Sequence, residues 1–358
     1  MPKRAVLLVN LGSPDSPSVP DVKRYLREFL GDERVIDRPR LRLLRKFLVD
    51  GIIIPRRAAA SAHAYSTIWT PAGSPLVVTS GRAREKLSAR LGAGTPVYLA
   101  MRYGRPSIDE VIARLAADGI HEVLIFPQYP HYAMASWETV VVRVCESAAQ
   151  LAPQLRLHCV KPFYADPDYI DALAAVCRPY LDQPHDHVLF SYHGIPVRHV
   201  GIASLKGVNV TFAEAPEAKW DPGRAGGAEI PDSGPKIPNL SYLDHVQQTT
   251  AALVQRAGIA RHSIAFQSRL VGEPWLSPYT DVELPRLARA GANRMLVLCP
   301  AFTTDCLETL EEIQVRARDD FLAAGGTSFQ QIPCLNDHPA FIDFLAKRAQ
   351  RWIMGGQP

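Results

Sequence analysis

What most constrains this chain is an alternation that runs through all 358 residues. Short, mostly apolar runs alternate with longer stretches in which apolar residues return at helical spacing. A short, near-continuous apolar run suits a strand buried on both faces, and helical crossovers between such strands make them parallel. Eight runs qualify: Ala5 to Asn10, Val97 to Arg102, Glu122 to Phe126, Leu155 to Val160, Val188 to Tyr192, Ser263 to Ser268, Arg294 to Cys299 and Ser328 to Ile332. The pattern predicts an α/β protein. Helix signals agree with it: Ser18 with Asp21 three residues later opens onto Val22, Tyr25, Leu26 and Phe29, and Gly31 stops that helix.

The strands fall into two sets of similar spacing. Each set opens on a strand that runs into a glycine-containing turn, Leu11-Gly12-Ser13-Pro14 and His193-Gly194-Ile195-Pro196. Two similar Rossmann-like lobes are therefore expected, each with a parallel sheet of about four strands flanked by helices. Their bounds are 1–165 and 166–335, with a C-terminal helix in 336–358 packing back on the first. The stretch 206–240, rich in Gly and Pro, lacks apolar periodicity and is predicted to be a long loop or insertion. Ligands of doubly wound sheets bind outside the carboxyl ends of the strands. The cleft is thus expected at Asn10 to Ser13, Arg102-Tyr103, Tyr129, Ser191 to His193, Ser268-Arg269 and Pro300 to Asp305.

Several functions are disfavoured. Forty Lys+Arg against 36 Asp+Glu leave a net charge of +4, too even for binding that rests on neutralising phosphates, so no nucleic-acid partner is expected. The six cysteines include no C-x-x-C pair, which predicts free thiols in a reducing compartment. The apolar run after Met1-Pro2-Lys3-Arg4 is short and reads as a strand rather than a signal peptide, and no run approaches the roughly 18 residues of a membrane span. No dinucleotide fingerprint, P-loop or G-x-S-x-G elbow occurs. From 38 to 57 the chain is basic and amphipathic, with Leu41, Leu44 and Leu48 at helical spacing; it suits either an anionic membrane surface or a plain surface helix.

The candidate chemistry lies at strand ends. His193 closes an apolar strand, where an imidazole can take protons near neutral pH or donate a lone pair to a metal; its plainest alternative is a hydrogen-bonded turn histidine. Asp305, Glu308 and Glu312 share one face of a predicted helix. Such acids complement a helix dipole, but Glu308 and Glu312 also stack like charges one turn apart, which suits a weakly held, hard or borderline divalent ion. Arg102 can pair a carboxylate and Tyr103 can lay a ring against a flat ligand. Trp275 and Tyr279 add aromatic area, as packing or as contact.

Five stretches in this order resemble the ferrochelatase family over nearly the whole chain. They are Leu7-Leu8-Val9-Asn10-Leu11-Gly12-Ser13-Pro14, Ala100-Met101-Arg102-Tyr103-Gly104, Leu189-Phe190-Ser191-Tyr192-His193-Gly194-Ile195-Pro196, Phe266-Gln267-Ser268-Arg269 with Glu273-Pro274-Trp275-Leu276, and Asp305 to Glu312. The resemblance implies a chelatase-like fold and insertion of Fe²⁺ into protoporphyrin IX, the last step of haem synthesis. It implies His193 and Glu308 as catalytic and metal-contacting residues, with Asp305 and Glu312 extending an acidic metal path. By the same matching Leu11, Arg102, Tyr103, Ser268 and Trp275 line the porphyrin site. Iron being a substrate, no resident cofactor is expected; 206–240 contains no Cys, so no iron-sulfur cluster is expected either. His131 stands where the family often has Gln. Members that act on coproporphyrin tend to carry Tyr where Leu11 stands, which favours protoporphyrin. The alternatives are a chelatase for another tetrapyrrole such as coproporphyrin III or for another metal, and a non-catalytic porphyrin or haem carrier. The expected location is cytoplasmic, with 38–57 as a peripheral contact at the inner face of the membrane.

Overall fold

The computed structural model describes residues 2–200, 211–213, 241–270 and 272–355. Each expected strand is present within a residue or two at most ends: β1 (Arg4–Ser13), β2 (Val97–Gly104), β3 (Glu122–Pro127), β4 (Arg156–Val160), β5 (His187–His193), β7 (His262–Gln267), β8 (Arg294–Leu298) and β9 (Ser328–Gln331). A further short strand, β6 (Thr211–Ala213), lies inside the stretch predicted to be a loop. All pairings are parallel, in two sheets ordered β2-β1-β3-β4-β6 and β7-β5-β8-β9. Without β6, both sheets follow one scheme: the second strand lies outside the first, and the third and fourth follow on the other side. Each lobe therefore reverses direction beside its first strand, β1 or β5, and opens a ligand-binding crevice at that strand's carboxyl end.

Two expectations about boundaries need correction. First, β6 pairs with β4, so part of 206–240 completes the first sheet rather than forming a free loop; the rest of that stretch lies outside the described residues. Second, the lobes share a core. Leu8 and Phe126 of the first sheet, Val188 and Phe190 of the second, and Phe341, Phe344, Leu345 and Trp352 of the C-terminal helix Pro339–Ile353 form one buried cluster. That helix packs on Pro75–Leu91 and also on Pro167–Leu181, so it bridges the lobes. Its Arg348 pairs in the interior with Asp166, the N-cap of the latter helix. A buried ion pair contributes little net stability, but losing one partner leaves an uncompensated charge, so it fixes the docking position.

The segment 38–57 is helical from Arg42, and it turns its leucines outward, as a membrane-surface segment would and a core-covering helix would not. Leu41, Leu43, Leu44 and Phe47 point to solvent, Leu43 being 82% exposed, while Arg45 and Val49 are buried. Apolar periodicity alone does not say which way the leucines point; here Arg45 turns inward towards Glu33. At the end of β1, Gly12 adopts φ +106°, and a Cβ there would sit 1.9 Å from the Tyr103 carbonyl oxygen. Only glycine lets β1 and β2 run this close where the first crevice opens.

Candidate functional site

His193 is the last residue of β5 and lies in register with Gln267 of β7. The chain then turns sharply, and Gly194 N–H donates to the Gln267 carbonyl at 2.8 Å. A Cβ on Gly194 would meet that carbonyl oxygen at 3.0 Å and Cε3 of Trp275 at 3.2 Å, so close packing is what requires glycine here. The turn is sewn to the Glu273-Pro274-Trp275-Leu276 segment by Val197 N to Pro274 O and Leu276 N to Ile195 O, both 3.0 Å. Trp275 is buried against this turn, so its ring buttresses His193 from behind instead of forming an open wall of the cleft. The His193 ring is partly exposed, with Nδ1 2.6 Å from the Gly194 carbonyl. A carbonyl only accepts, so Nδ1 carries a hydrogen and Nε2 is the ring nitrogen left for another partner.

The acids lie on an element that periodicity did not reveal. Residues Glu308–Ala317 form a π-helix, a wider i→i+5 turn that is frequent at functional sites, though Leu48–Ile53 and Met134–Glu138 of this chain are π-helical too. Its first carbonyl, that of Glu308, accepts from Gln267 Nε2 at 2.8 Å. Glu308 faces the first lobe: burial pushes the Tyr25, Tyr65 and Tyr129 hydroxyls up, and the Glu308 charge adds to the effect on each. Glu312, one turn on, is held by Ser268, whose N–H and Oγ donate to its two carboxylate oxygens at 2.8 and 2.5 Å. Ser268 adopts φ 65° to do so, an uncommon backbone state for a residue with a side chain. Burial raises the Glu312 carboxyl above its usual range; the Ser268 hydrogen bonds and His193 oppose this, and Glu308 reinforces it. His193, Glu308 and Glu312 thus form one electrostatic cluster at the second-lobe crevice.

Asp305 does not belong to that row. It precedes the π-helix, is buried, and accepts from Thr309 Oγ1 (2.8 Å), Asn336 Nδ2 (2.6 Å), Gln331 Nε2 and the Cys334 N–H. With its oxygens spent on these donors, Asp305 ties the chain after β9 to the start of the π-helix. The ideal 3.6-residue period placed it on the Glu308 face because the sequence does not mark where the helix begins.

On the first-lobe side, Leu11 is half-buried at the end of β1, its N–H bonded to Asn10 Oδ1 and Tyr129 Oη. Arg102 is not the free cation expected: Nε donates to Thr139 Oγ1 at 2.8 Å and Nη2 to Asp32 at 2.5 Å. Tyr103 is 1% exposed, donates to Asp32 at 2.9 Å, and packs on Phe29 with Arg102 over its ring. Its ring is therefore core, and the pair reads as a buried network around Asp32. Burial alone would raise the Asp32 carboxyl, but Arg102, Thr139, the Arg34 N–H and Tyr103 together hold it below its usual range.

Two cavities flank the π-helix. One, of about 380 Å³, is lined by Ser268, Glu312, Arg269 and Arg57; the other, of about 600 Å³, by Leu310, Gln314, Phe329 and Thr67. Neither is lined by His193. Among the described residues, no group of three or more His, Cys, Asp or Glu side chains is gathered to hold a metal ion, and all six cysteines are buried free thiols. Sequence reasoning missed Gln267, Tyr25 and Tyr65. The tyrosines look like ordinary helix core, but a glutamine closing the apolar strand Ile264-Ala265-Phe266 was a legible signal.

The family model described as ferrochelatase matches residues 3–352. The chain is 60% identical over 355 residues to a protein named ferrochelatase from Opitutus terrae, covering 99% of both. It is 44% identical over 353 residues to one from Pseudomonas aeruginosa strain LESB58, covering 98% of both. Among solved structures, SirB from Bacillus subtilis with Fe³⁺ superposes with a TM-score of 0.52 at 12% identity, covering 98% of this chain and 95% of that one, which establishes a shared chelatase-like fold.

The Asp32 network gives a stability prediction. A carboxyl held below its unfolded value contributes stability above that value, ordinarily about 3.8, and loses it as pH falls through the folded value. Asp32→Asn is expected to cost about 3 kcal/mol at neutral pH, with the deficit shrinking only below about pH 4. Urea denaturation of both proteins across that range checks it.

Proposed function

The chain belongs to the ferrochelatase family, and from that premise we propose that it inserts Fe²⁺ into protoporphyrin IX to give haem, the closing step of haem synthesis. The observation that carries the reading is an imidazole whose Nδ1 is taken up by the Gly194 carbonyl, leaving Nε2 for substrate, beside two acids of one π-helix. Insertion replaces two pyrrole N–H protons by one dication; the iron stays ferrous, so the balance is two protons released and no electron moved. His193 Nε2 accepts a pyrrole proton. Glu312, whose burial raises its proton affinity, takes and passes on the second. Glu308, towards the first lobe, gives the arriving dication an anionic contact loose enough to surrender it to four ring nitrogens.

Of the residues assigned to the macrocycle, Leu11 contributes apolar surface, while Trp275, Ser268, Tyr103 and Arg102 act from behind it. Trp275 backs the His193 turn, Ser268 orients Glu312, and Arg102 with Tyr103 anchors the end of β2 through Asp32. A carrier would need no proton acceptor beside a pair of acids, so this arrangement favours turnover over storage. Iron is consumed as substrate, and no resident cofactor enters the reaction.

Anaerobic mixing of the protein with Fe²⁺ and protoporphyrin IX, followed by loss of porphyrin fluorescence, tests the proposal. Multiple turnovers are expected, faster than with coproporphyrin III, and His193→Ala and Glu308→Ala should each lower kcat by about 10²-fold or more. Tight binding without turnover on either porphyrin would refute it in favour of a carrier.

For location we propose the cytoplasm, with residues 38–57 resting on the inner face of the membrane. No helix among the described residues is long and apolar enough to cross a membrane. The exposed Leu41, Leu43, Leu44 and Phe47 lie beside Arg40, Arg42 and Lys46, which pairs apolar insertion with attraction to anionic lipid. Binding to phosphatidylserine vesicles is expected to weaken with salt and to be lost in Leu43→Glu/Phe47→Glu. Equal sedimentation of that variant and the parent would contradict the assignment.

A further inference from the structure

One buried side chain reaches from the histidine strand to the acid helix. Gln267 is 2% exposed and ends β7 directly beside His193. Its main-chain carbonyl takes the Gly194 N–H at 2.8 Å and so fixes the turn that aims the imidazole. Its side chain points the other way along the site. The Glu308 carbonyl lies 2.8 Å from Nε2 and can only accept, so it fixes the orientation of the amide with Nε2 as donor. Oε1 then accepts from Ser191 Oγ at 2.7 Å and from Cys299 Sγ at 3.6 Å. The Ser191 hydroxyl is itself held 2.9 Å from Thr280 Oγ1, so the relay runs from Thr280 through Ser191 and Gln267 to the first residue of the π-helix.

We propose that Gln267 is a positioning residue for metal insertion, its amide setting the span between the His193 imidazole and the Glu308 carboxylate. The inference rests on the chelatase reading above. Glu308 opens the π-helix, and because a carbonyl oxygen has two lone pairs, it can serve the helix and still accept from a side-chain donor. Without the Nε2 donor, the first π-turn is free to relax towards a tighter helix and carry Glu308 away from His193. A misplacement of about 1 Å in a reacting group costs on the order of 10²-fold in rate. Substrate binding, which Gln267 does not touch in this account, should be left almost unchanged.

The test compares the full chain with Gln267→Met and Gln267→Glu in anaerobic Fe²⁺ insertion into protoporphyrin IX, measuring kcat, porphyrin KM and Tm from about pH 6 to about pH 9. In Gln267→Met, kcat is expected to fall roughly 10- to 100-fold at every pH, with KM within about twofold. In Gln267→Glu, the new carboxyl is buried beside two acids, which raises its pKa. Protonated at low pH, its O–H replaces the lost donor and kcat recovers towards the parent; ionised at high pH, it repels the Glu308 carbonyl and kcat falls to the level of Gln267→Met. A merely structural glutamine would lower Tm without that pH-dependent ratio. Parental kcat in Gln267→Met, a loss confined to KM, or a Gln267→Glu ratio flat with pH would each overturn the proposal. If Gln267→Met does not fold, the pH ratio of Gln267→Glu decides alone. No turnover by the parent protein would instead refute the chelatase reading.

Discussion

The structure depends most on the pairing of two strand ends, β5 with β7, where the Gly194 N–H meets the Gln267 carbonyl. Parallel pairing fixes register along both strands, so the residues leaving them, His193 on one side and Ser268 on the other, are placed without freedom to slip. Everything chemical hangs from these two exits. The first carries the imidazole; the second, through the strained Ser268 backbone, holds Glu312 by two hydrogen bonds. The two-sided burial that makes the strands legible in the sequence also gives the catalytic groups a rigid base.

Against this base the π-helix stores unfavourable electrostatics. Glu308 and Glu312 lie one turn apart, and burial already penalises ionising Glu312. A helix with poorer hydrogen-bond geometry and stacked acids persists because its start is held from several directions. The Gln267 amide takes the Glu308 carbonyl, and Asp305 clamps Thr309 and Asn336. On the function proposed here, an arriving dication would relieve this repulsion and its transfer to a macrocycle would restore it, which suits passage of a metal over its retention.

Much of this was legible in the sequence for a physical reason. Short, mostly apolar runs mark strands buried on both faces, and the ends of such runs mark the crevice, so the two lobes and the placing of His193 at a strand end follow from pattern. Three classes of feature were not legible. Asp305 seemed one of a row of acids because a 3.6-residue period was assumed where the helix starts later and turns wider. Arg102 and Tyr103 looked available to a ligand because their partner Asp32, 70 residues away, is invisible to local spacing. The direction of Leu41 and Leu44 stayed open because periodicity reports that a face is apolar and not which way it points, and here Arg45 points inward. The shared core and β6 likewise depend on contacts between distant segments.

The central claim is that the macrocycle is metallated at the β5 exit, between the imidazole and the acid helix. A crystal structure of the protein with metal-free protoporphyrin IX, grown without iron, tests this most directly. The account predicts pyrrole nitrogens within reach of His193 Nε2 and of the Glu308 carboxylate, with Leu11 against the ring edge and the Gln267 to Glu308 hydrogen bond intact. A ring seated in the cavity lined by Leu310, Gln314 and Phe329, away from His193, would contradict it.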